Sequence, residues 1–514
     1  MPTVREAAFR VFEHFGVDRL FGNPGSTELP MLKALPEGFG YVLGLNEAVV
    51  VAMADGFARS SGKPALVNLH SSAGTGHSLG NLFTAWKNNT PLVITAGQQA
   101  RSILPYDPFL YAERPTEFPR PFVKWALEPA RAEDVPLALI RAFATALTPP
   151  MGPVFVSIPV DDWDRECASP ALPELSLRTL PDPAGIERIA AMIDGADKPA
   201  LVIGTGCANS HGWSAAIALA EKAGLAVWAA PYAARETFPE DHPQFAGFLP
   251  AWRDQIRNLL APHDAVLVAG APVFTYHVEG SGPHWPEHAQ LMALSEEPNH
   301  LAALPGGGGV LGEVRAGLEA LAERVQPRAF SGTRHQLKNP EPAMTAAFVL
   351  KRIAALRPPQ AVIVEEAPTA RGPEHDTLPI TREGGFYTCA SGGLGYSLPA
   401  SVGVAMGQAD KVIAILGDGS AMYTVQGLFS AFQEQANVSF VILNNSGYAA
   451  LTGFAGEFGM NHVPGCDLTG IDFVKLAEAQ GLPARLVDAV DGLDEALGWS
   501  FAQSGPSLLD VRIA

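Results

Sequence analysis

The chain has 514 residues, 47% of them hydrophobic and 17% charged, and a formal net charge of −18. This length makes about three domains at roughly 100–200 residues each; so apolar a composition excludes a disordered chain, and so acidic a balance excludes a phosphate-backbone partner such as nucleic acid. No apolar run approaches the ~20 residues that cross a bilayer. The first residues, MPTVREAAFRVFEHF, mix charged and apolar side chains at helical spacing, unlike the core of a signal peptide. The four cysteines lie far apart without a CxxC pair. That is the pattern of a reduced, cytoplasmic protein without disulfides or structural zinc.

Residues 1–165 alternate short apolar runs with helical patterns. AMADGFARSSGKPALVNLHSSAGTG predicts helix, turn, strand and glycine loop, TPLVITAGQQ a buried strand, and SIPVDDW closes the segment. The Pro-rich CASPALPELSLRTLPDPAG lacks periodicity and reads as a linker. Residues 181–328 predict strands in KPALVIGTG, LAVWAAP, DAVLVAGAP and AQLMALS, with helical stretches between them. After a second linker, residues 341–514 open with the helix TAAFVLKRIAALR and continue through AVIVEEAP, KVIAILGDGS, VSFVILNNSG and PSLLDVRIA. Apolar strands alternating with helices predict an α/β protein of three doubly wound parallel-sheet domains.

The densest chemistry lies in KVIAILGDGSAMYTVQGLFSAFQEQANVSFVILNNSGYAAL. Read alone, GDG is a tight turn and NN a polar strand end. In sequence context, each follows an apolar strand. Gly417 and Gly419 let a backbone approach a phosphate, and a following helix directs N–H groups at it. Asp418 and Asn445 bring hard oxygen ligands suited to Mg²⁺ from the ends of neighbouring strands, where parallel sheets bind ligands. The middle-segment GTGCAN, Gly204 to Asn209, has only two glycines of a dinucleotide fingerprint and carries little weight.

These blocks, together with FGNPGSTELP, LGLNEAVVVAMADGFAR, NLHSSAGTGHSLGNLFTAW, GAPVFTYH and CASGGLGYSLPA, resemble the thiamine-diphosphate-dependent 2-keto acid decarboxylases of the benzoylformate decarboxylase type. The resemblance runs through all three segments in order. It implies a pyrimidine-binding domain first, a central domain second and a diphosphate-binding domain last. It implies an active site shared between subunits, hence a homodimer at minimum and a homotetramer built from two dimers. The implied reaction is non-oxidative decarboxylation of an aromatic or branched 2-keto acid to an aldehyde and CO₂, with carboligation as a side activity. An acetolactate synthase-like carboligase is the alternative, and the histidines named below argue against it.

Residue by residue, the resemblance implies Mg²⁺ on Asp418, Asn445 and the Gly447 carbonyl. Thiamine diphosphate would be held by Asn23, Pro24, Gly25, Glu47, Glu366, Thr369, Gly392, Gly393, Leu394, Gly417, Asp418, Gly419, Ser420, Asn445, Gly447, Tyr448 and Ala449. Leu394 would force the bent cofactor conformation. Pro368 stands where relatives carry a hydroxyl residue. Glu47, by pattern alone a charge favoured by a helix N-terminus, would hydrogen-bond the pyrimidine ring and tune its acid–base chemistry. His70 and His277, each otherwise an ordinary polar group, would shuttle protons. Ser26, otherwise a helix N-cap, would bind the substrate carboxylate. Phe109, Leu110, Thr388, Ala450, Leu451 and Phe454 would wall the substrate pocket, although core packing explains such side chains equally well. Thr388 departs from the aromatic residue expected there.

Overall fold

A computed structural model describes all 514 residues, apart from the side chain of Glu457. The chain forms two compact units. One comprises Met1–Ser176, Pro342–Arg371 and Ser391–Ala514; the other comprises Leu177–Glu341 and Gly372–Ala390.

The first unit contains two parallel sheets. In one, the strands lie in the order Gly40–Leu43, Arg19–Gly22, Ala65–Leu69, Leu92–Gln98, Val154–Pro159 and Ala126–Leu127. In the other, Val362–Glu366, Val412–Gly417, Val438–Asn444, Ser507–Arg512 and Ala484–Val487 lie side by side, all parallel. These five strands follow the same succession as the last five of the first sheet, a likeness that their sequences leave open. Central strands are buried on both faces, so they read as unbroken apolar runs such as VIAILG and VSFVILN.

The helices Glu47–Ser61 and Ser397–Gly407 pack together at the centre of this unit. Both are buried almost all round, which their near-continuous apolar and small residues allow. A Cβ at Gly56 would collide with the Ala400 carbonyl, and one at Gly403 with the Met53 carbonyl. Two backbones therefore meet where ordinary helix pairs keep side chains between them. A polar cluster is sealed alongside: the Tyr396 hydroxyl donates to Asp55 at 2.5 Å, Arg59 Nη1 donates to the Tyr396 oxygen at 2.8 Å, and Asn88 donates to Asp55 at 3.1 Å.

The second unit is built on a six-stranded parallel sheet in the order Gly308–Leu311, Gln290–Ser295, Ala265–Ala269, Pro199–Ile203, Ala226–Ala229 and Phe245–Phe248. Its helices bury Ile186, Leu219 and Leu318 against that sheet. GTGCAN forms the short helix Thr205–Asn209, and a Cβ on Gly206 would stand 2.8 Å from the Gly270 Cα. This glycine is spent on backbone packing.

Three local expectations differ from the structure. SSAGTG is the start of the helix Ser71–Lys87 rather than a glycine loop. GAPVFTYH is irregular, because its strand ends at Ala269. The helix after GDGS is split into Asp418–Met422 and Gly427–Gln433. Gly427 lies under Leu398, whose Cδ2 would stand 2.7 Å from a Cβ there.

Gly403→Leu is expected to lower the melting temperature by about 5 °C, since overpacking here must push the touching backbones apart. Gly492→Leu, on a helix with open space around it, should leave it unchanged. Thermal unfolding followed by circular dichroism checks both.

Candidate active site

The site begins with carboxylates that the fold takes out of water. Glu47 is the first residue of its helix and only 6% exposed, with Asn46 as N-cap. Its Oε1 accepts from Asn23 Nδ2 at 3.3 Å, and its Oε2 lies 3.1 Å from His77 Nδ1. Asn81, on the same helix as His77, donates to the carbonyls of Ala48 at 2.9 Å and Gly395 at 3.0 Å. Thr84 adds a hydroxyl contact to Ser391 at 2.8 Å. The helix Ser71–Lys87 thus joins Glu47 to the loop carrying Gly392, Gly393 and Leu394. Both glycines are exposed there and Leu394 is half-buried.

His70 ends the strand Ala65–Leu69 and precedes that helix. Its Nδ1 lies 2.8 Å from the buried Glu28 Oε2 and 3.2 Å from Thr27 Oγ1. Glu28 also accepts from the Gly25 amide at 3.0 Å and from Thr27 Oγ1 at 2.6 Å. A Cβ at Gly25 would collide with the His70 ring. Residues 23–28, NPGSTE, are therefore a loop wrapped on Glu28 and His70. Ser26 is exposed and starts no helix, while Asn23 is half-buried and Pro24 exposed. Glu28 and His77 were not singled out in the sequence, although both stand inside the quoted blocks. A buried carboxylate's partners are set by distant residues, so nothing local marks them.

The GDGS and NNSG segments leave adjacent parallel strands, with Gly417 opposite Leu443. The Gly447 amide donates to Asp418 Oδ2 at 2.9 Å and to Asn445 Oδ1 at 3.2 Å, which draws all three residues together. Asp418 Oδ1 accepts from the Gly419 amide at 2.8 Å. Burial raises the proton affinity of Asp418, partly offset by these amides. A carboxylate held this way, with amide donors and an amide oxygen beside it, fits a hard divalent cation. Asn444 is turned the other way, donating to Asp510 at 2.8 Å. Ser420 is buried, and a Cβ on Gly419 would strike the Tyr448 ring. Tyr448, Ala449, Ala450 and Phe454 are half-buried, Leu451 is exposed, and burial raises the Tyr448 phenol.

Glu366 carries out a scaffold task in this structure. It accepts from the amides of Gly395 at 2.6 Å, Tyr396 at 2.8 Å and Ser397 at 2.6 Å, so it caps the helix Ser397–Gly407. Thr369 is exposed nearby in sequence. Phe109 is 86% exposed and Leu110 half-buried. His277 and Thr388 belong to the second unit. There His277 is exposed, its amide donating to the Ala251 carbonyl at 2.9 Å, and Thr388 is buried, its amide donating to Ala234 at 3.0 Å.

Domain models and full-length relatives both match the chain. Residues 2–113 match the N-terminal TPP binding domain of thiamine pyrophosphate enzymes, 186–321 the central domain and 374–511 the C-terminal TPP binding domain. The chain is 40% identical to benzoylformate decarboxylase of Pseudomonas aeruginosa, over 99% of each chain. It is 26% identical to the mitochondrial acetolactate synthase catalytic subunit of Saccharomyces cerevisiae, covering 97% of this chain and 78% of that one. The crystal structure of benzoylformate decarboxylase from Polynucleobacter necessarius superposes with a TM-score of 0.98 at 38% identity, covering 100% of this chain and 99% of that chain.

Burial pushes the Glu366 carboxyl up to about 7 from 4.5, against the three amides that favour its charge. Between those values the folded protein keeps a proton that the unfolded chain has lost, so this group makes stability fall as pH rises through that window. Glu366→Gln cannot ionise and should remove this fall, while lowering stability by about 1–3 kcal/mol through an amide facing amides. Denaturation midpoints across the window check the prediction. Parallel pH slopes for both proteins would contradict it.

Proposed function

The chain belongs to the thiamine pyrophosphate enzymes, and from that premise we propose that it decarboxylates an aromatic or branched 2-keto acid non-oxidatively to an aldehyde and CO₂. The observation that carries this reading is the start of the helix Ser71–Lys87. It sets a carboxylate-held histidine, His70, one turn from Gly74, which touches the buried Glu47. In this reading Glu47 serves the cofactor and His70 the substrate.

Thiamine diphosphate, when bound, supplies the carbon nucleophile and the electron sink for the leaving CO₂. Glu47 hydrogen-bonds the pyrimidine ring, with Asn23, Pro24 and Gly25 alongside. Gly392, Gly393 and Leu394 shape the thiazolium side, with the Glu366–Thr369 segment contributing backbone. Residues 417–420 and 445–449 cradle the diphosphate, and Asp418, Asn445 and the Gly447 carbonyl hold Mg²⁺. Ser26, which is exposed, receives the substrate carboxylate. His70 moves a proton on the substrate, fixed by Glu28, and His277 is the second proton carrier. Phe109, Leu110, Thr388, Ala450, Leu451 and Phe454, most of them apolar, are the side chains we assign to the substrate pocket.

We assign a homodimer at least, and a homotetramer by the family pattern, in the cytoplasm. The pyrimidine-binding domain is assigned to residues 1–165, the central domain to 181–328 and the diphosphate-binding domain to 341–514.

Purified protein with thiamine diphosphate and Mg²⁺ should release aldehyde from benzoylformate or a branched 2-keto acid, with hydroxy ketone as a minor product. Hydroxy ketone from pyruvate without any aldehyde would move the assignment to an acetolactate synthase-like carboligase. Asp418→Asn should weaken calorimetric binding of thiamine diphosphate in the presence of Mg²⁺ by about 10-fold or more, and chelation of the metal should have the same effect on the wild type. Binding untouched by either would remove Asp418 from the metal site.

A further inference from the structure

Glu47 is addressed from one face of one helix. In Ser71–Lys87, positions 74, 77 and 81 follow the i, i+3, i+7 spacing that lines a single helix face. A Cβ on Gly74 would stand 3.1 Å from Glu47 Cγ and Oε1, so the missing side chain lets the carboxylate lie against the helix. Asn81 uses both hydrogens of its amide, on the carbonyls of Ala48 and Gly395. This fixes the start of the helix that carries Glu47. Between them, His77 Nδ1 lies 3.1 Å from Glu47 Oε2, with the imidazole otherwise 64% exposed. With the carboxyl proton on Oε1, Oε2 is a hydrogen-bond acceptor before and after that proton moves, so the Nδ1 facing it carries the hydrogen. The other oxygen, Oε1, has the longer contact of 3.3 Å to Asn23.

We propose that His77 is a positioning residue for the acid–base step at Glu47: its Nδ1–H clamps Oε2, leaves Oε1 to face the cofactor ring, and stabilises the charge left on Glu47 once its proton has moved to that ring. The proposal rests on the reading of Glu47 given above. The proton that moves is the one on Oε1, and it ends on a ring nitrogen. The Nδ1 hydrogen stays on His77 throughout, so no other acid or base is needed. A hydrogen bond to the charged form of a group favours that form, so the bond to Oε2 strengthens as Glu47 gives its proton up. The longer Asn23 contact is the one the ring shares or displaces.

Two substitutions separate the donor from the packing. His77→Leu removes the N–H, and His77→Gln retains an amide donor. With so exposed a side chain, both should fold as the wild type does. In cofactor-free protein labelled with ¹⁵N-histidine, His77 should show a protonated Nδ1, assigned by its loss in His77→Gln and altered in Glu47→Gln. In the loaded enzyme, deuterium exchange at the thiazolium C2 should slow about 10- to 100-fold in His77→Leu, with KM for the keto acid unchanged, and His77→Gln should recover most of the rate. An unprotonated Nδ1, or exchange at the wild-type rate in His77→Leu alongside full wild-type decarboxylation, would overturn the positioning role alone. A wild type that binds thiamine diphosphate but decarboxylates no keto acid would overturn the function it rests on.

Discussion

A carboxylate taken out of water must be met by hydrogen donors, and the neighbourhood of the site is organised by that demand. Glu28, Glu47, Asp55, Glu365, Glu366 and Asp418 are all buried. Left unmatched, each would cost several kcal/mol. Each is matched, and most of the donors sit on loops. Glu28 gathers the Gly25 amide and His70, Glu366 gathers three amides at the start of Ser397–Gly407, and Asp418 gathers the amides of Gly419 and Gly447. Glu365 takes the Ala367 amide and a double contact from Arg371. The loops around the site are therefore held by buried charge rather than by their own turn preferences.

The glycine-notched contact between Glu47–Ser61 and Ser397–Gly407 adds a second level of order. One helix begins with Glu47, and the other begins under the Glu366 cap. Because their backbones touch, Glu47 is positioned relative to the sheet whose strand ends carry Asp418 and Asn445. Five strands of each sheet follow the same succession, yet the sheets present different chemistry: an acid and a histidine at the ends of the first, a carboxylate and an amide at the ends of the second. Cofactor chemistry of the kind proposed needs both, since one end of the coenzyme is tuned by proton transfer and the other is anchored by charge.

Much of the fold was legible because fully buried parallel strands are written as apolar runs. VIAILG, VSFVILN, LVITAGQ and AVLVA are strands where periodicity places them. The pairing of GDGS with NNSG was also legible, because both follow such strands and parallel sheets expose their carboxyl ends together. Reading failed where glycine carries two meanings. SSAGTG looks like a loop, but Gly74 stands in a helix because it lies against Glu47. The hydroxyl of Ser26 looked like a helix cap, and Glu28 instead draws the segment into a loop. DAVLVAGAP looked like a strand throughout, but its sheet pairing ends with Ala269.

Composition, strand periodicity and the order of the motifs are local or additive properties, so the residue string alone determined the α/β class, the parallel sheets and membership among the thiamine pyrophosphate enzymes. Which donor meets which buried acid is different. Tyr396 reaches Asp55, and Asn81 reaches Gly395, across more than three hundred positions of chain. Such partnerships carry no period and no spacing rule. Helix packing brought His77 to Glu47, and the pairing of the strands Arg19–Gly22 and Ala65–Leu69 brought Glu28 to His70, because burial, which no linear pattern measures, is what makes those contacts necessary.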